Sequence, residues 1–268
     1  MAPVPEPLYQ PVGDLYEPSP YIRGPWSFDH CHAGPPAGLL TTLLCDLRPD
    51  MGMTRITCEI PAPIPLAPIS VTTDVVRPGR RITLVRGEIA GLDGTVYMSA
   101  SAWLMRIDDS IVGRTEGYEQ PMPRPENGVA FSLDFWDNEP DFSAALESRV
   151  AEGVPFSGSG PAAMWARMLH PLLPDRPWNP YARAVTTADF PNGVAALEPM
   201  AELIAVNTDL TVYFGGEPQG EWIGLRAKTN SSGLGLGMTN SLLYDASGFI
   251  GTANQSIYFD RPSPPGTA

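Results

Sequence analysis

The sequence predicts an α+β protein made of two similar halves, with its chemistry concentrated in the second. Three observations lead there. The chain has 268 residues, a comfortable length for two domains of about 100–150 residues each. Each half reads as one helical stretch accompanied by alternating, strand-like segments, the pattern of helix packed on antiparallel sheet. And the last strand of the first half, GTVYMSASAWLM (Gly94–Met105), aligns without a gap on GFIGTANQSIYF (Gly248–Phe259) at a constant offset of 154 (248 − 94). Internal repetition of this kind is stronger evidence of architecture than any single motif.

The elements follow in order. Residues 1–20 are proline-rich and read as extended, and YIRGPWSF (Tyr21–Phe28) has aromatics at strand-like spacing. Leu39, Leu40, Leu43, Leu44 and Leu47 recur at helical spacing after Pro35 and Pro36, and proline is tolerated in a first helical turn. Strand-like runs then cover Thr54–Ile60, Ile69–Val76, Ile82–Ala90 and Thr95–Ile107, separated by RPGRR and GLDG turns. Residues 108–157 lose this regularity and read as a junction. Pro161–Leu173 is apolar and fits helix or strand. Asn179–Leu197 reads as the second helix, with Asn179 as cap and Pro180 at its first position. Four more strand-like runs follow: Glu202–Phe214, Glu221–Asn230, Gly237–Asp245 and Gly248–Phe259. The expected division is a first domain over 1–110, a linker over 111–157 and a second domain over 158–268. Within the repeat, TCEI (Thr57–Ile60) also matches NTDL (Asn207–Leu210), at an offset of 150 (207 − 57).

Composition narrows the function. A net charge of −13 argues against nucleic-acid binding, which needs a basic surface. Arg77, Arg80, Arg81 and Arg86 form the one dense basic cluster, read as a solvated strand edge or as a patch for an anionic small ligand. Cys31, Cys45 and Cys58 match no zinc spacing or disulfide framework and read as inert thiols. There is no signal peptide pattern and no run of 18 apolar residues, so a cytoplasmic protein without a membrane span is expected. SSGLGLG (Ser231–Gly237) joins two strands and is not a phosphate loop. SGSG (Ser157–Gly160) lacks the G-x-S-x-G of a nucleophile elbow.

Three motifs of the second half carry a resemblance: TTADF (Thr186–Phe190), NTDLTVYF (Asn207–Phe214) and TANQSIYFDRP (Thr252–Pro262). In the first half, HAGPPAGLL (His32–Leu40) and VVRPGRRITLVRGEI (Val75–Ile89) match the corresponding helix start and Arg-containing turn. Together they resemble the acyl-CoA thioesterase II family of bacteria, the TesB type, over about residues 20–110 and 160–262. The resemblance implies a tandem (double) hot-dog fold, each half one long helix packed on an antiparallel sheet. It implies hydrolysis of acyl-CoA to free fatty acid and CoA without a cofactor, and a homo-oligomer, dimer or tetramer.

The family's catalytic Asp and Gln fall on Asp189 and Gln255. Its Thr falls on Asn207, a departure; the neighbouring Thr208 should face the other side of its strand unless the register slips. A carboxylate can take a proton from water in the transition state, and amides can hold the water or the carbonyl. The first half has Ser101 where the second has Gln255, and Thr57 where it has Asn207, which makes it the structural, CoA-facing partner. Read without the resemblance, Asp189 ends a helix, Gln255 is a polar strand residue and Asn207 bonds to nearby backbone. The change of Thr to Asn motivates an alternative: an acyl-CoA or lipid-binding protein of the same fold that does not hydrolyse. Before the first helix, His30, Cys31 and His32 lack the spacing of a metal site, and Asp29 with His32 could form a hydratase-type acid–base pair.

Overall fold

One antiparallel sheet carries both halves. The computed structural model describes residues 5–113, 115 and 120–262. A hairpin, β1 (Tyr9–Val12) and β2 (Leu15–Pro18), precedes α1 (Gly34–Asp46) and then β3 (Met51–Glu59), β4 (Ile69–Arg77), β5 (Ile82–Ala90) and β6 (Val96–Arg106). Next come β7 (Val129–Phe131), β8 (Leu146–Glu152) and β9 (Ala162–Met168). The chain continues through α2 (Pro180–Thr187), α3 (Pro191–Val194), β10 (Ile204–Asn207), β11 (Asp209–Phe214), β12 (Trp222–Ser231), β13 (Leu236–Asp245) and β14 (Gly248–Asp260).

The strand order is β1-β2-β4-β5-β6-β3-β11-β14-β13-β12-β9-β8-β7, with β10 also on β14. From the β3–β11 junction outward, the first half reads β3-β6-β5-β4 and the second β11-β14-β13-β12. The two halves thus repeat one connectivity on either side of the junction, where Thr57 sits opposite Thr211. Their registers refine the repeat. Thr57 pairs with Ser101 and Thr211 with Asn254. Carrying the second register one residue further sets Leu210 opposite Gln255, the counterpart of Ser101. Thr57 therefore corresponds to Leu210, not to Asn207 as the offset of 150 suggested.

Each helix is held differently. α1 is buried nearly all round: Leu39, Leu40 and Leu44 are fully buried, each stabilising by roughly 1.5–3 kcal/mol relative to an exposed side chain. Its buried hydroxyls are satisfied within the helix, Thr41 donating to the Ala37 carbonyl and Thr42 to that of Gly38. α2 starts as expected, with Asn179 Oδ1 accepting from the amides of Tyr181 at 3.0 Å and Ala182 at 3.2 Å. It does not continue as expected. The second half has no long helix: α2 ends after eight residues and α3 resumes for four. Pro191 explains the break, because it has no N–H for an intrahelical bond and its ring clashes with the preceding turn. α1 and α2 touch through Gly34 and Gly38. A β-carbon on Gly34 would lie 2.6 Å from the Thr186 carbonyl oxygen, and one on Gly38 would strike Thr186 Oγ1.

Two further expectations are revised, and one open reading is resolved. Tyr21–Phe28 forms no strand; a 3-10 turn covers Pro20–Ile22 and irregular chain follows. Pro161–Leu173 resolves into strand β9. The segment expected as linker holds β7 and β8, and β8 pairs with β9 and so extends the sheet of the second half. Leu146, Ser148 and Val150 alternate with charged residues, a strand signal too short to stand out from its surroundings. Arg77, Arg80, Arg81 and Arg86 are exposed at the β4–β5 turn and on β5, with Arg86 Nε 3.9 Å from Asp74. All three cysteines are free. Burial pushes the Cys45 and Cys58 thiols up to about 12.

Candidate active site

The break between α2 and α3 turns Asp189 inward. Its side chain is 4% exposed. Asn207, the last residue of β10, donates from Nδ2 to Asp189 Oδ1 at 2.8 Å. Gln255, in the middle of β14, donates from Nε2 to the same oxygen at 3.1 Å. The three residues singled out from the sequence therefore meet around one carboxyl oxygen. Asp189 and Asn207 line the cavity described below; Gln255 is buried behind them. Its Oε1 is buried and has no hydrogen-bond partner among the described residues, an acceptor that a bound water or substrate donor could satisfy.

The strand register makes room for this. β10 pairs with β14 with Asn207 opposite Ile257, while β11 pairs with it with Thr211 opposite Asn254. The two differ by one residue, and the slip falls at Thr208. Both Asn207 and Thr208 consequently line the cavity, although strict alternation would separate them.

The fourth member comes from the other half. His32 Nδ1 lies 3.0 Å from Asp189 Oδ2. The ring sits against Phe142 and Phe190, with centroids 4.9 and 4.8 Å away. Those two rings stack on each other at 5.5 Å with 5° between their planes. The backbone N of Gly34 is also 3.1 Å from Nδ1, and one nitrogen cannot both donate to a carboxylate and accept from an amide. Two amide N–H groups already address Oδ1, which suits an acceptor-only carboxylate. A proton on Nδ1 would make the contact to Oδ2 charge-assisted, the stronger of the two. Asp29, weighed as the partner of His32, is exposed; the acid that His32 meets is Asp189.

These groups sit in the wall of a cavity of about 590 Å³, bounded by both halves and by the segment between them. That volume is within the usual range for small-molecule sites. The wall is mostly apolar, including Trp26, Ile64, Phe135, Phe156, Met200 and Val206. Arg23 also lines it, but is committed to structure: Nε donates to the Phe28 carbonyl at 3.0 Å and Nη1 to that of Pro140 at 2.6 Å. No group of three or more His, Cys, Asp or Glu side chains among the described residues is arranged to hold a metal ion. No helix among them is long and apolar enough to cross a membrane.

A buried carboxyl group held by two amides and facing an imidazole, at the edge of an apolar cavity, is an arrangement that can support acid–base chemistry. Solved structures place the fold. A hot-dog protein of Alicyclobacillus acidocaldarius aligns with a TM-score of 0.74 and 18% identity, over 95% of this chain and 96% of that one. An acyl-CoA thioesterase II, TesB2, of Mycobacterium marinum aligns with a TM-score of 0.65 and 16% identity, over 95% and 94%. A TesB protein of Mycobacterium avium subspecies paratuberculosis gives 0.66 and 17%, over 94% and 95%. No curated protein matches the sequence. The family models are decisive: the acyl-CoA thioesterase N-terminal domain matches residues 22–105 and the C-terminal domain residues 119–259. The chain belongs to the acyl-CoA thioesterase family, of the TesB type.

Proposed function

We propose that this protein hydrolyses acyl-CoA thioesters, with Asp189 as the carboxylate that makes water nucleophilic and Asn207 and Gln255 as the amides that hold the reacting groups in place. The observation that carries this reading is the convergence of both amides on Asp189 Oδ1 beside an apolar cavity. Water is a weak nucleophile at neutral pH, and a fixed carboxylate supplies the missing basicity. The two N–H donors fix the orientation of that carboxylate. The cavity takes the acyl chain. Asn in place of the family's threonine keeps a donor in reach of Asp189.

The test is thiol release from a panel of acyl-CoAs of different chain length. Turnover is expected, and Asp189→Asn should lower kcat by about 10²- to 10⁴-fold while leaving the unfolding midpoint within a few degrees. Retained activity in that variant would remove Asp189 from the reaction. Tight binding of acyl-CoA with no turnover at any chain length would favour the second reading, a non-hydrolytic acyl-CoA or lipid-binding protein, which the departure at Asn207 motivates.

A further inference from the structure

Both carboxyl oxygens of Asp189 are already engaged. Its side chain is 4% exposed, Oδ1 already accepts two amide N–H groups, and Oδ2 faces His32 Nδ1. His32 is 13% exposed and lines the cavity. Among the described residues nothing hydrogen-bonds to its other nitrogen, Nε2. The Phe142 and Phe190 rings flank the imidazole and restrict its tilt.

We infer that His32, supplied by the first half, is the group that receives the proton of the attacking water, and that Asp189 acts through it. This rests on the hydrolytic reading above and refines it. With Nδ1–H donated to Asp189, Nε2 keeps its lone pair. Water adds to the thioester carbonyl carbon, its oxygen forming the new C–O bond as its proton passes to Nε2. The carbonyl π pair moves onto oxygen. On collapse the C–S bond breaks, the sulfur leaves with the bonding pair, and the proton on Nε2 is delivered to it. The sum is thioester plus water giving carboxylic acid plus thiol, with His32 returned to its starting form. Asp189 stabilises the imidazolium that forms in between, across 3.0 Å and away from bulk water. The second half, which holds all three residues taken from the sequence, is incomplete without the first.

Two substitutions at His32 test this. His32→Asn puts an amide nitrogen where Nδ1 stands and can keep the donor to Asp189, but it has nothing at Nε2. The expected result is a kcat lower by about 10²- to 10⁴-fold with KM changed by less than about 3-fold. His32→Ala should lose as much and regain activity when imidazole is added, whereas imidazole should do nothing for Asp189→Asn. Full kcat in His32→Asn, or a His32→Ala enzyme that folds and ignores imidazole, would overturn the relay. If Asp189→Asn is still dead in that case, direct activation by Asp189 survives. A wild-type protein that turns over no acyl-CoA would remove the relay and the hydrolytic reading together.

Discussion

The two halves use the same parts differently. In the first, α1 runs unbroken for 13 residues and only the approach to its N-terminus, at His32, reaches the cavity. In the second, the helix stops after eight residues and the exit from its C-terminus, at Asp189, reaches the same cavity beside His32. The sheet shows the same divergence. Gln255 on β14 is buried and bonded to Asp189, while its counterpart on β6, Ser101, is half-buried with Oγ 3.4 Å from Arg55 Nη2. The two halves share one connectivity and differ at the helix: the second gives up helix length where Asp189 turns inward, and the first keeps a continuous helix behind His32.

The sharpest way to break this comparison is to make the same substitution on both sides. Gln255→Leu removes one N–H from the buried carboxylate. A hydrogen bond to a charged group is worth about 1.5–3 kcal/mol, so kcat should fall roughly 10- to 100-fold. Ser101→Leu, at the equivalent register position, should change kcat by less than about 3-fold. Equal losses in the thiol-release assay would mean that the halves are functionally alike after all.

The next largest effect concerns how the halves are joined. A methyl group at Gly38 would collide with Thr186 Oγ1, which is buried. Overpacking of this kind typically costs about 1–3 kcal/mol. Gly38→Ala should therefore lower Tm by several degrees, and adding Thr186→Ala should restore a good part of it. A double-mutant cycle read by thermal unfolding measures the coupling. Simple additivity would show that α1 and α2 adjust independently, and that the close approach is not what sets their spacing.

How much of this was legible in the sequence follows the same division between local and distant causes. Leucine spacing gave α1, alternation gave β3 to β6, and Asn179–Pro180 gave the start of α2, since each signal lies within a few residues of its effect. The stop after Thr187 was signalled by Pro191, but the apolar residues on both sides, Val185 and Val194, carry the helical pattern across it. The slip at Thr208 depends on how two strands pair with a third and leaves no mark in the residues themselves. Strand β8 becomes visible only through its partner β9. Asp189, Asn207 and Gln255 are marked by the family motifs and not by local chemistry. In the sequence His32 stands beside Asp29, whereas in the structure it meets Asp189 from the other half of the chain, and no local pattern links the two.

The smallest effect tests the most enclosed part of the first half, which holds every cysteine of the protein. Cys45 and Cys58 are buried, and loss of hydration disfavours the thiolate, so their pKa values rise, both to about 12. Cys31 is shifted upward by the same cause, and its Sγ donates to the Pro65 carbonyl at 3.2 Å. Because the thiolate is the reactive form, a pKa near 12 leaves about 10³-fold less of it at pH 8 than an ordinary thiol has. The native protein should accordingly give almost no fast reaction with a disulfide dye at pH 8, and all three thiols should appear on unfolding in guanidinium. Cys31 is the informative exception, because it lines the cavity. One fast thiol, lost in Cys31→Ser and slowed by a bound acyl-CoA, would show that this wall opens in solution and that the first half contributes more than a rigid face to the site.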